Sequence, residues 1–188
     1  VRVGRRAAVV GGGNTAMDAA RSALRLKGVE EVFLIYRRSE REMPARIEEV
    51  KHAREEGITF HFLTTPSAWL GDASGDLRAV RCRRMDLGEP DASGRRRPVP
   101  VPGSEFELAV DSAVVAIGTQ ANPILAQSTP GLETNRWGYI AADADGRTSL
   151  ARVFAGGDIV SGSATVILAM GAGRKAAAAI HRTLHPET

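Results

Sequence analysis

Residues 8–24 read AVVGGGNTAMDAARSAL. Ala8, Val9 and Val10 have the character of the end of a buried strand, and Gly11, Gly12 and Gly13 follow as a turn without side chains. Asn14 through Leu26 then reads as a helix, with Gly28 as its stop. Strand, Gly-rich turn, helix is the setting that a dinucleotide-binding fingerprint requires, and the spacing here is Gly11-x-Gly13-x-x-Ala16. Gly11 permits the tight turn, Gly13 lets a pyrophosphate approach the backbone, and Ala16 lets helix and strand pack closely. The helix opens at Asn14 and Thr15, where free N–H groups and a partial positive charge favour phosphate. The plain alternative is a tight turn in any α/β domain. A second strand at the right distance, Glu31–Tyr36 (EVFLIY), favours the nucleotide reading.

The end of that second strand selects the nucleotide. A site for NAD places Asp or Glu there, on the ribose 2′-hydroxyl. This chain has Tyr36, Arg37, Arg38 and Ser39. Two guanidiniums suit a 2′-phosphate by charge and by bidentate geometry, so Arg37 and Arg38 point to NADP(H). A solvated basic turn is the alternative, because Arg41 and Arg46 lie close by.

Composition narrows the classes. The chain has 188 residues, of which 43% are hydrophobic and 25% charged, the balance of a globular α/β protein. The formal net charge is +3, and aromatics make up only 5%, with no basic block interleaved among them; nucleic-acid binding is unsupported. No apolar run is long enough for a membrane span, and no signal peptide opens the sequence. The one cysteine, Cys82, excludes an internal disulfide and a Cys-only metal cluster. These features fit a cytoplasmic protein. His61 lies between Phe60 and Phe62 without partner ligands, so it reads as a sheet histidine, and no metal site is expected.

Along the chain, a helix is expected from Ile47 to Glu56 with Gly57 after it, and a strand over Thr59–Thr64 that Pro66 breaks. Ala68–Leu70, Leu77–Asp86 and Glu105–Val110 read as short antiparallel strands, a meander inserted into a parallel α/β domain. Gly88–Pro102 reads as an exposed connection with polyproline character, carrying Arg95, Arg96 and Arg97. Asp111–Gly118 returns to a buried strand. Beyond it the texture is irregular, with possible strands at Trp137–Ile140 and Val153–Ala155 and a long helix over Thr165–Leu184. The small residues of that helix, among them Ala169, Gly173 and Ala176, imply close backbone contact with another element, on the first domain or on a second copy of the chain. Gly156-Gly157-Asp158 ahead of it forms a second candidate site. Asp158 is placed to hold a ribityl or ribose hydroxyl, and the helix start at Thr165 and Val166 offers N–H groups. From the residues alone, Asp158 serves equally well as a helix cap.

Several segments together resemble the flavoprotein reductases with two dinucleotide-binding domains, and among them the NADPH-dependent glutamate synthase small (beta) subunit. The matching residues are 10–21 (VGGGNTAMDAAR), 36–42 (YRRSERE), Met43-Pro44-Ala45, 48–57 (EEVKHAREEG), 111–118 and 154–174. The resemblance implies a Rossmann-like three-layer NADP(H)-binding domain over 1–118 with the meander inserted, and the C-terminal part of a split FAD-binding domain over 119–188. It implies NADP(H) on Gly11, Gly13, Asn14, Thr15, Ala16, Arg37, Arg38 and Gly118, and FAD on Gly157, Asp158, Thr165 and Val166. Hydride would pass from NADPH to FAD and on to an iron–sulfur or flavin partner or a large catalytic subunit, with no acid–base residue required. The chain would then be a C-terminal fragment with an incomplete flavin site, inactive alone and open to homodimer formation. Reductases feeding pyrimidine reduction or ferredoxin, a flavin-free dehydrogenase and a non-catalytic nucleotide-binding module are the alternatives. A disulfide reductase needs two thiols, and Cys82 is single.

Overall fold

The structure is a computed structural model that describes residues 3–91 and 94–186. It divides into two compact units, Val1–Gly118 and Thr119–Thr188.

Unit 1 begins with strand β1 (Arg6–Val10), helix α1 (Asn14–Leu24), strand β2 (Glu31–Ile35), a single 3₁₀ turn (Glu40–Glu42), helix α2 (Ile47–Glu55) and strand β3 (Thr59–His61). An antiparallel group follows: β4 (Thr64–Gly71), β5 (Leu77–Pro90), β6 (Arg96–Pro100) and β7 (Phe106–Ala109). β8 (Ser112–Val115) returns to the first sheet. That sheet is parallel in the order β3-β2-β1-β8, with Val10 opposite both Ile35 and Val115. β4 and β6 flank β5 in the second sheet, and β7 also pairs with β5.

Alternation along β1 and β2 builds a core on each face of the parallel sheet. Ala7, Val9, Val32 and Leu34 pack on Ala16, Met17 and Ala20 of α1 and on Val50 and Ala53 of α2. Ala8 and Ile35 face the other way and meet Val80, Cys82 and Val110 of the meander. The α/β architecture is therefore three layers: helices, parallel sheet, antiparallel sheet. Arg21 ties the helical layer together, donating to Glu49 at 2.6 Å and to Glu56 at 2.9 Å. The hydrogen bond from Arg21 holds the Glu56 carboxyl below its ordinary range, so this contribution to stability is present at neutral pH and is lost as the carboxyl protonates in acid.

Several local expectations are corrected. Helix α1 stops at Leu24 rather than Leu26; Arg25 is its C-cap, and Gly28 turns the chain at φ +92°. Pro66 does not break a strand. It lies inside β4, an edge strand, beside a register shift between Pro66 and Ala68. Gly88–Pro102 is not a polyproline loop, because Arg96–Pro100 pairs with β5 as an edge strand; Ala92 and Ser93 lie outside the described residues. Pro98 and Pro100 are two apart, so both turn their N–H-less nitrogens to the same side of the strand. The strand expected to be buried over 111–118 is the sheet edge, with Val115 57% and Ile117 73% exposed. Among the described residues it pairs only with β1.

Unit 2 contains α3 (Pro123–Ser128), a short helix α4 (Asp158–Ser161) and α5 (Val166–Leu184). The expected strands at 137–140 and 153–155 are reduced to isolated bridges, Thr134–Ile140 and Arg147–Phe154. Thr165 caps α5, its hydroxyl accepting from the Leu168 N–H at 3.4 Å. The close contacts of α5 are with loops of its own unit, not with the first domain or a second copy as expected, and they are made by Ala169, Ala172 and Ala176; Gly173 is exposed, with nothing within 4 Å of its missing Cβ. A Cβ on Gly156 would lie 3.0 Å from the Ala172 carbonyl oxygen, and one on Gly146 would lie 3.0 Å from the Ala176 Cβ.

Met17 is fully buried where α1 crosses the sheet. Met17→Ala should lower unfolding free energy by about 2–5 kcal/mol, through lost burial and the cavity left behind. Urea denaturation followed by circular dichroism measures this; a loss below about 1 kcal/mol would show that α1 is not seated as described.

Candidate functional site

The parallel register brings three chain ends to one edge of the sheet. Gly11 follows β1, Tyr36-Arg37-Arg38 follows β2, and Ala116–Gly118 follows β8. β1 lies between strands that continue in opposite directions, the point at which doubly wound sheets open a crevice beyond their carboxyl ends.

The Gly-rich turn fits that crevice tightly. Gly11 has φ +151°, and a Cβ on it would stand 2.2 Å from the Ala116 carbonyl oxygen. A Cβ on Gly12 would stand 2.4 Å from the Tyr36 ring. Gly13 is unobstructed, with Pro44 at 4.0 Å the nearest atom to its missing Cβ. It also precedes α1 as an N-cap with no side chain. Its carbonyl accepts from the N–H groups of Ala16 (3.0 Å) and Met17 (3.2 Å). The N–H groups of Asn14 and Thr15 have no acceptor one turn back within the helix, and both residues are exposed. No acidic residue occupies this first turn. Ala16 is fully buried and comes to 3.1 Å from the Gly11 Cβ position, which is the close helix–strand packing its small size allows.

The loop at Pro44–Arg46 closes over the turn. The Ala45 N–H donates to the Gly12 carbonyl at 3.1 Å, and the Arg46 N–H donates to Asn14 Oδ1 at 2.9 Å. The Asn14 side-chain oxygen is therefore committed to the fold. The Tyr36 hydroxyl donates to the Glu42 carbonyl at 2.8 Å, fixing the ring against Gly12. Sequence reading missed these roles of Gly12, Tyr36 and Asn14. The signal was the run of three glycines, one more than the fingerprint requires.

Arg37 and Arg38 differ. Arg37 is exposed, whereas the Arg38 side chain is only 6% exposed. Arg38 donates from Nε to the Arg96 carbonyl at 2.7 Å and from Nη2 to Asp91 Oδ2 at 2.6 Å. Gly118 is exposed at φ +83° at the end of the β8 segment.

Unit 2 carries the other expected residues. Gly157 is buried at φ +83°, and Asp158, Thr165 and Val166 are exposed. Asp158 is the first residue of α4, whose N-cap is Gly157, so it does not serve as a side-chain cap there. Asp158 instead borders a cleft of about 170 Å³ with Gln120, Asn122, Tyr139 and Ser163.

Two other residues are chemically quiet. Burial and, less strongly, the Arg84 guanidinium lower the His61 pKa; the ring packs between Phe33 and Phe106. Burial pushes the Cys82 thiol up to about 11, so it stays protonated at neutral pH. Among the described residues no group of three or more His, Cys, Asp or Glu is arranged to hold a metal, and no helix is long and apolar enough to cross a membrane.

Comparison with known proteins places the chain. The family model for pyridine nucleotide-disulphide oxidoreductases matches residues 2–176. The chain belongs to this family. It is 50% identical over 186 residues to the NADP(+)-dependent formate dehydrogenase subunit beta of Moorella thermoacetica, covering 98% of this chain and 26% of that protein. It is 43% identical over 178 residues to the glutamate synthase [NADPH] small chain of Halomonas elongata, covering 92% of this chain and 37% of that protein. In fold it is similar to Mycobacterium tuberculosis FprA, solved in complex with NADPH, with a TM-score of 0.74, 20% identity, and coverage of 98% of this chain and 53% of that one. The chain thus spans roughly a quarter to a half of the length of these three proteins.

Gly11→Ala should distort the turn, because its new methyl meets the Ala116 carbonyl, a backbone atom that cannot yield. Binding of NADP+ and NAD+ should fall together by at least tenfold, as read by fluorescence titration. Unchanged binding of both would remove the turn from the site.

Proposed function

We propose that the chain is the NADP(H)-binding part, with a portion of the flavin-binding part, of an FAD-dependent oxidoreductase. One observation carries this reading: the four residues after β2, Tyr36 to Ser39, hold two guanidiniums and no carboxylate, beside a turn that has no room for side chains at Gly11 and Gly12. A carboxylate there would bind a ribose hydroxyl and repel a phosphate. Arginine binds the phosphate instead. The family and the NADP-linked names of its relatives support the choice.

The residues fit such a ligand. The bare backbone of Gly13 and the N–H groups of Asn14 and Thr15 would hold the pyrophosphate at the start of α1. Arg37, exposed, would contact the 2′-phosphate, with Arg38 behind it. In unit 2, Asp158 would hold a flavin hydroxyl, while the N–H groups near Thr165 and Val166 would face a flavin oxygen. NADPH, when bound, supplies a hydride for a flavin to accept. The chain's own residues bind and orient the reactants, and none is needed as acid or base.

Electrons would leave through a partner subunit carrying an iron–sulfur or flavin centre, or a large catalytic subunit as in glutamate synthase. The names of the relatives, a beta subunit and a small chain, support a place in an assembly. The single buried cysteine accords with a cytoplasmic location.

Titration calorimetry of NADP+ and NAD+ tests the reading. The unaltered chain should prefer NADP+. Arg37→Ala should weaken NADP+ by about tenfold to a hundredfold, the worth of a charge-assisted contact of roughly 1.5–3 kcal/mol, and leave NAD+ unchanged. Equal losses for both nucleotides would withdraw the 2′-phosphate assignment.

A further inference from the structure

The β5–β6 hairpin reaches Arg38, after β2, through the Asp91 carboxylate and the Arg96 carbonyl, and the fold holds that carboxylate in place. Asp91 Oδ1 accepts from the Arg95 N–H at 3.3 Å, and Asp91 Oδ2 accepts from Arg38 Nη2 at 2.6 Å. The backbone around it is closed by Asp91 N–H to the Arg95 carbonyl at 2.8 Å and Gly94 N–H to the Asp91 carbonyl at 2.9 Å. Arg38 Nε is fixed by the Arg96 carbonyl of the same hairpin.

A second set of bonds runs through the backbone. The Leu63 N–H donates to the Arg38 carbonyl, the Thr64 N–H to the Tyr36 carbonyl, and the Met85 N–H to the Leu63 carbonyl. Leu63 makes this crossing at φ +47°, a left-handed conformation that a branched side chain rarely adopts. The meander therefore grips the segment after β2 from both main chain and side chain.

We propose that Asp91 is a specificity-determining positioning residue. It locks the Arg38 guanidinium in one orientation beside Arg37, so that the turn after β2 is preformed for a 2′-phosphate. The proposal rests on the NADP(H) reading above. Two of the Arg38 nitrogens are committed to the hairpin, and an arginine held in this way gives up little freedom when a ligand arrives. A long side chain with no such anchor would have to be ordered by the ligand.

The sign of the mutational effect separates positioning from charge. Asp91 is an anion near the expected place of another anion. Removing it should strengthen NADP+ binding if charge alone matters. Removing it should weaken NADP+ binding if its work is to hold Arg38.

The experiment is calorimetric titration of the chain with NADP+ and NAD+, using Asp91→Ala and Asp91→Asn. Asp91→Ala should weaken NADP+ about tenfold and change NAD+ by less than twofold. Asp91→Asn keeps an acceptor for Arg38 without the charge, and should recover most of the loss. NADP+ binding as tight as in the unaltered chain, or tighter, in Asp91→Ala overturns the proposal. So does an equal loss of both nucleotides, or an Asp91→Asn variant as weak as Asp91→Ala. If the unaltered chain shows no preference for NADP+, the NADP(H) reading itself fails, which is a different result from loss of the Asp91 effect alone.

Discussion

At Gly11 the backbone comes so close to β8 that a methyl group would stand 2.2 Å from the Ala116 carbonyl oxygen, and at Gly12 so close to Tyr36 that one would stand 2.4 Å from the ring. These two contacts set the height of the turn over the sheet edge. They bring the start of α1 against the ends of β2 and β8. Everything proposed for the site depends on that closeness: the N–H groups at Asn14 and Thr15, the arginines after Tyr36, and the segment through Gly118 converge on one crevice because no side chain separates them.

The meander is the second structural constraint. It covers the face of the parallel sheet that the helices leave open, through Val80, Cys82 and Val110. It also braces the segment after β2. Burial of Arg38 is tolerated because its charge is paired with Asp91 and its Nε is satisfied by a carbonyl; an unpaired guanidinium in that place would be costly. Core packing and ligand preference are thus served by one inserted element.

The parts legible in the sequence were those with a local cause. Gly11, Gly13 and Ala16 have a spacing with a mechanical reason, and the α/β class followed from strand, turn, helix and second strand. The small residues of α5 signalled close packing; Ala169 and Ala176 do lie against Gly157 and Gly146, whereas Gly173 is exposed and Ala172 makes the contact to Gly156 instead. What could not be read were long-range pairings. Nothing near Arg38 in sequence shows that its partners are Asp91 and the Arg96 carbonyl, 53 and 58 residues away. Three prolines among residues 98–102 resemble a loop, yet an edge strand accepts Pro98 and Pro100 because it pairs on one side only. The apolar run of β8 resembles a buried strand, and its position at the sheet edge leaves it exposed. Unit 2 was the least legible, since its candidate strands make only single bridges.

If the Gly-rich turn and the arginine turn form one dinucleotide site, a bound nucleotide must touch both. Hydrogen–deuterium exchange of the chain, with and without saturating NADP+, tests it most directly. New protection is expected over residues 11–17 and 36–42 together, with less protection over 36–42 when NAD+ replaces NADP+. Protection confined to residues 119–166, or none over 11–17, would contradict it.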